Sequence, residues 1–128
     1  VVRVISAAQV ADDNIVLEVP HFPSISAYSQ MSFPEHINRS MHPPIHLFLF
    51  SLESMRALLA RHGYEVSAVW MFGLDFYEVF STLALFADGL DGSILHDKLA
   101  PLISDFQEVI DRHELCDEFI VVGRKLPA

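Results

Sequence analysis

Ser51-Leu52-Glu53-Ser54-Met55-Arg56-Ala57-Leu58-Leu59-Ala60-Arg61-His62-Gly63-Tyr64-Glu65-Val66-Ser67-Ala68-Val69-Trp70-Met71-Phe72 reads as a helix, a glycine turn and a strand. Ser51 is a good N-cap and Glu53 stands in the first turn, where a carboxylate favours the helix dipole. Leu52, Met55, Leu58, Leu59 and His62 fall on one helical face. Gly63 fits the left-handed position just past a helix end, with Tyr64 as the apolar contact that follows it. Residues 65–72 then alternate well enough for a strand, closed by Gly73.

Upstream, Asn14-Ile15-Val16-Leu17-Glu18-Val19-Pro20 is nearly continuous and rich in β-branched residues, as suits a strand buried on both faces of an α/β sheet. Pro20 cannot donate to a ladder and marks the strand's end. Before it, Asp12-Asp13-Asn14 is a turn cluster, preceded by small residues and the short apolar piece Val1–Ile5. Between the strand and Ser51, residues 21–50 are rich in proline and histidine and read as a long excursion with one short helix near Ile25–Gln30. Downstream, a helix is expected over Asp75–Ala87 and another over Ile94–His113. In the second, Leu95, Leu99, Leu102, Ile103, Phe106, Val109 and Ile110 share a face, and Pro101 predicts a kink or break near Ala100. Glu118–Lys125 is a second buried-type strand. Strand, loop, helix, strand, two helices, strand is an α/β order on one domain spanning residues 1–128.

The totals narrow the function. Apolar residues at 52% and charged residues at 20% supply a core and give no case for disorder. A net charge of −9 with only eight scattered Lys and Arg argues against nucleic acid and against an anionic membrane surface. Asp75 and Glu78 interrupt the most apolar tract, residues 66–90, so no membrane span is expected there. Cys116 is the one cysteine, so no internal disulfide can form; a reducing cytoplasm is the natural setting and a small buried residue its natural role.

The string Asn14–His21, ending in Glu-Val-Pro-His, and the later string His46-Leu47-Phe48-Leu49-Phe50-Ser51 through Gly63-Tyr64-Glu65-Val66 resemble the second half of class I S-adenosylmethionine-dependent methyltransferases. Phe119–Lys125 resembles the last, antiparallel strand of that fold. The resemblance runs from about Asn14 to Lys125. Each piece is a hydrophobic pattern with a turn, and their specificity comes from occurring in this order and spacing. It implies the C-terminal part of a Rossmann-like sheet of about three strands, with the last strand antiparallel between the other two. It also implies an acceptor-side loop region at 21–50, a helical insert at 74–113, and a small-molecule or sugar/lipid-precursor acceptor. The family's cofactor is held by a Gly-rich loop after the first strand. Here the glycines are Gly63, Gly73, Gly89, Gly92 and Gly123, with no Gly-x-Gly. S-adenosylmethionine is therefore expected for the complete protein and no cofactor for this chain alone. The chain is either a segment of a longer protein, as its first residues suggest, or a domain without the cofactor half. An inactive scaffold, or a non-catalytic module docking a partner on the apolar helices at 74–113, is the alternative.

Methyl transfer from a sulfonium depends on alignment, and a base is needed only when the nucleophile must lose a proton. His21, just past a strand's carboxyl end, is the candidate catalytic residue, since ligands of open α/β sheets sit at that end. Its alternative is a loop histidine bonded to backbone. Substrate contacts are expected from His21, Phe22, His36, His46 and Phe48, with Tyr28, Phe33 and Phe50 equally able to line a pocket or fill a core. His36, His42 and His46 with Glu35 are suitable metal ligands at unsuitable spacing, so no metal is expected. His62, His96 and His113 read as surface or boundary residues on helices. Asp75, Glu78, Asp88, Asp91 and Asp97 read as solvated faces and turns without paired-carboxylate chemistry. The strand at 14–20 should have a free hydrophobic edge, which predicts a homo-oligomer, a dimer or larger.

Overall fold

Asp13 adopts a φ of 66°, the left-handed conformation that Asp tolerates in turns, and folds strand β1 (Ala7–Ala11) back on β2 (Asn14–Pro20). The structure, a computed structural model, describes residues 7–11, 13–35, 46–87, 89 and 93–127. The remaining elements are α1 (Ile25–Ser32), α2 (Leu52–Arg61), β3 (Tyr64–Phe72), α3 (Asp75–Phe86), α4 (Ile94–Leu99), a 3-10 turn at Ala100–Leu102, α5 (Ile103–Arg112) and β4 (Glu118–Lys125). This is a mixed α/β fold on an open four-stranded sheet of order β1-β2-β4-β3. Every neighbouring pair is antiparallel, so β2 and β3 run parallel to each other on either side of β4.

β1 adds a strand that the small residues Ala7, Ala8 and Ala11 did not announce. It also corrects the reason given for a homo-oligomer, because the edge of β2 expected to be free is paired with β1. Burial corrects a second expectation. β2 and β4 are not buried on both faces; their burial alternates along the chain. On one face Leu17, Val19, Phe119 and Val121 join Met55 and Leu59 of α2 in the core, with Val66, Val69 and Met71 packed against them. A Cβ on Gly123 would stand 2.8 Å from Ile15 and 3.4 Å from Leu59, so α2 closes on β4 where the side chain is missing. On the other face Val16, Ile120 and Val122 are half-buried and Trp70 is 65% exposed.

The local signals read from sequence act as expected at α2. Ser51 Oγ accepts the Ser54 N–H at 3.1 Å, and Gly63 ends the helix with a φ of 79°. Leu58 and His62 are exposed, so only part of the expected apolar face is used. Pro101 breaks the expected helix at 94–113 into α4, the 3-10 turn and α5. Its expected apolar stripe is largely open, with Leu95 57% exposed and Leu102, Phe106 and Val109 also exposed. α1 packs on α3, and α3 on α5. Phe76 stacks on Phe106 at 4.4 Å and Phe33 on Phe86 at 5.7 Å. Among the described residues no helix is long and apolar enough to cross a membrane.

Candidate functional site

The carboxyl ends of β2 and β3 and the start of β4 meet at one end of the sheet, and the interior polar residues gather there. His21 follows β2 and is 3% exposed. Its backbone N–H donates to the Asp117 carbonyl at 2.7 Å. Its ring Nδ1 lies 2.8 Å from the Cys116 carbonyl oxygen. A carbonyl oxygen can only accept, so Nδ1 carries a proton, and in the neutral ring Nε2 is then the acceptor. Phe119 meets the ring edge-on at 5.3 Å. The returning chain is zipped to the same place: Phe50 N–H donates to the Pro20 carbonyl at 2.9 Å, and Phe22 N–H to the Phe50 carbonyl at 3.0 Å.

His21 lines a cleft of about 450 Å³. Ser51, Glu53 and Arg56 reach it from the N-terminal end of α2, Met71 from β3, and His113, Glu114 and Leu115 from the turn after α5. The cleft thus presents one histidine of fixed tautomer, two carboxylates, a guanidinium and a second histidine around a small apolar floor. Such a set can accept a proton and bind a polar molecule that both donates and accepts hydrogen bonds.

Among the described residues, His21 alone of the expected contacts lines this cleft. Phe22 is its chain neighbour but turns outward, 39% exposed and tilted against Tyr28 at 6.0 Å. His46 is half-buried and Phe48 is 52% exposed, and neither lines the cleft. His36 lies outside the described residues, as do His42, Asp88 and Asp91. The residues that do line it with His21 carried no local motif. Glu53 and Arg56 sit on the polar side of an amphipathic helix, and His113 and Glu114 reach the site only through the turn that ends α5.

Behind the cleft lies a buried carboxylate network. Asp75 corrects the expectation of a solvated acid: with Asp117 it is fully buried. Asp75 Oδ1 accepts the Ser26 N–H at 2.8 Å, and Oδ2 accepts the Asp117 N–H at 2.8 Å and Gln107 Nε2–H at 3.3 Å. Asp117 Oδ1 accepts the Leu74 N–H at 3.1 Å. Gln107 Oε1 accepts the Phe76 N–H at 2.9 Å, while its Nε2 also donates to Asp111 Oδ1 at 2.7 Å. Burial, reinforced by the Asp117 charge, pushes the Asp75 carboxyl up to about 6, against the opposing bonds from Ser26 and Gln107. Asp111 is raised too, first by burial and then by the charges of Asp117 and Glu108, with the Gln107 bond pulling the other way. Cys116 is buried as expected, and burial followed by the charges of Asp111 and Asp75 pushes its thiol up to about 12.

A second cleft of about 460 Å³ runs between α3 and α4, with Tyr77, Phe80, Ala84 and Leu85 facing His96, which stacks on Phe80 at 5.3 Å. Its walls are mainly apolar, with Ser81 as a further polar side chain beside Tyr77 and His96. Among the described residues no group of three His, Cys, Asp or Glu is placed to hold a metal ion.

The described glycines do not fit S-adenosylmethionine. Gly73 is closed by Asp117 and Asp75, and Gly123 by Ile15 and Leu59. Gly63 ends α2 and Gly89 lies in the α3–α4 connection, so neither opens a helix after a strand. Comparison with protein-family models, curated proteins and solved structures finds no match for this chain.

Proposed function

We propose that this chain forms the acceptor-side, C-terminal part of a class I S-adenosylmethionine-dependent methyltransferase with a Rossmann-like sheet, working in the cytoplasm on a small polar molecule. The carrying observation is His21, which lines a polar cleft at the carboxyl end of β2 with its Nδ1 held on the Cys116 carbonyl. An attacking hydroxyl or amine must lose a proton, and a histidine so held at a strand's carboxyl end is suited to take it. The strand order supports the reading, since β4 runs antiparallel between β2 and β3 as the resemblance implies. Glu53, Arg56, His113 and Glu114 suit an acceptor rich in hydroxyl or amino groups, such as a sugar precursor, better than an apolar one. On this reading the methyl donor is held by a Gly-rich loop of the complete protein, as the resemblance implies.

The test is calorimetric titration with S-adenosylmethionine and S-adenosylhomocysteine, on this chain and on the full-length gene product that contains it. The proposal expects no heat from the chain and micromolar binding by the longer product. It expects methyl transfer to a polyhydroxy acceptor panel by the longer product, falling by about 10²–10⁴ in the His21→Ala variant, the range of a general base. A well-folded full-length product that binds neither ligand refutes it.

A second reading, a non-catalytic docking module, draws on the exposure of Leu85, Ile94 and Leu95 (68%, 80% and 57%) at the tip of the helices. Methyl transfer that depends on His21 counts against it.

A further inference from the structure

One amide group joins Asp75 to His21. The carbonyl of Cys116 and the N–H of Asp117 belong to the same peptide unit. Its N–H donates to Asp75 Oδ2 at 2.8 Å, and its oxygen accepts from His21 Nδ1 at 2.8 Å. The backbone N–H of His21 is clamped to the next carbonyl, that of Asp117, at 2.7 Å. We propose that Asp75 is a positioning residue for His21, holding the imidazole in its Nδ1–H form through the 116–117 amide and so keeping Nε2 free to accept a proton. The inference rests on His21 being the base of the proposed function.

The physics is that of a carboxylate–histidine pair with a peptide inserted between the partners. Amide resonance couples the two ends of the unit. A carboxylate on the N–H side draws density onto the carbonyl oxygen, which then accepts more strongly from the ring. Water does not dilute the effect, because Asp75, Cys116 and Asp117 are all fully buried. Capping the Ser26 N–H at the start of α1 needs one acceptor oxygen; Asp75 brings a second and turns it on Asp117 N–H. The other groups facing Asp75 are Asp117 beside β4 and Gln107 and Asp111 on α5; those sharing the His21 cleft are Glu53, Arg56, His113 and Glu114. With the Asp75 carboxyl held up to about 6, the link is charged well above that pH and weakens as Asp75 takes up a proton.

Long-range nitrogen–proton NMR of the imidazole at pH 8 tests this without any enzymatic assay. The wild-type chain should show His21 as Nδ1–H. The Asp75→Asn variant should move the tautomer ratio about tenfold toward the Nε2–H form that free imidazoles favour, the size of one charge-assisted hydrogen bond. A folded Asp75→Asn chain whose His21 stays as fully Nδ1–H as wild type overturns the inference. Should that variant fail to fold, titration of the wild type decides. The Cys116 carbonyl carbon must step with the Asp75 carboxyl carbon, and a carbonyl that stays still while the carboxyl titrates overturns it. A wild-type ring found as Nε2–H would instead overturn His21 as the base. A full-length product without methyl transfer would leave these NMR outcomes unchanged, so the two failures are distinguishable.

Discussion

Gly73 is the residue whose substitution should report most sharply on the buried carboxylate network. Its φ is not positive, so alanine carries no backbone strain there, and the effect is one of space alone. A Cβ would stand 2.3 Å from Asp117 Oδ1, 2.5 Å from Asp75 Oδ2 and 3.0 Å from Asp117 N. Neither oxygen is a loose side-chain end. Asp117 Oδ1 is pinned by the Leu74 N–H and Asp75 Oδ2 by the Asp117 N–H and Gln107. Making room costs one charge-assisted bond from each carboxylate, about 1.5–3 kcal/mol apiece, so Gly73→Ala should destabilise by about 3–6 kcal/mol. That is a large part of the roughly 5–15 kcal/mol that holds a domain folded. Urea unfolding followed by circular dichroism measures it, with the slope unchanged if only stability moves. Gly63→Ala is the control. There the φ of 79° is strained for alanine but nothing lies within 4 Å, and the cost should stay near 1–2 kcal/mol, roughly that of a left-handed residue. A Gly73→Ala chain within about 1 kcal/mol of wild type, or more stable than Gly63→Ala, would refute the packing account.

The Asp75 carboxyl, held up to about 6 from an ordinary 3.8, binds its proton more tightly in the folded state than in the unfolded one. Its contribution to stability is therefore present below the ordinary value and lost as pH rises through about 6, worth at most about 3 kcal/mol. Asp111 is shifted in the same direction. The urea midpoint should rise between pH 7 and pH 5, and the rise should flatten in Asp75→Asn; a midpoint that falls over that interval contradicts the assignment. Cys116, buried with its thiol at about 12, should resist a thiol reagent at pH 8 in the native chain and react fully in denaturant. Rapid native labelling would show that this end of the sheet opens. Leu59→Ala should cost about 2–5 kcal/mol and Leu58→Ala under about 1 kcal/mol, since the first is 4% exposed and the second 38%. Equal losses in thermal unfolding would mean that α2 sits differently on the sheet.

Elements dictated by local chemistry were legible in the sequence. The bounds of β2 and β4, the Ser51 cap, the Gly63 turn and the break at Pro101 each follow from a residue acting within a few positions of itself. What escaped depends on distant partners. β1 is made of residues with weak strand preference and exists through its pairing with β2. Continuous apolar runs cannot say whether a second layer covers the sheet, and on the face of Val16, Ile120 and Trp70 none of the described residues does so fully. An acid at the first position of a helix looks like a dipole partner in solvent, yet Asp75 is buried by Ser26 and Asp117, 49 and 42 residues away. Of the site, His21 alone was legible, because its place after a strand is a positional signal. Phe22 and Phe48 carry only an aromatic signal, and aromaticity does not tell an inward ring from an outward one.

Buried polar residues concentrate at this end of the sheet. His21, Ser24 and Ser26 follow β2, Asp75 follows β3 and Asp117 precedes β4, while Gln107 comes in from α5; all are buried. The core under α2, from Leu17 to Val121, is built of Leu, Val, Met and Phe side chains. Two neighbouring buried carboxylates repel one another, and buried charged or polar networks are often matched or exceeded in stability by apolar residues of similar size. A chain shaped for stability alone would extend the apolar core to the strand ends. Here the hydrogen bonds of the network run instead to backbone groups of α1, α3 and the residue before β4, and through the 116–117 amide to His21. What such a network gains is fixed geometry at His21, and fixed geometry matters where a ring must present one nitrogen to a bound molecule.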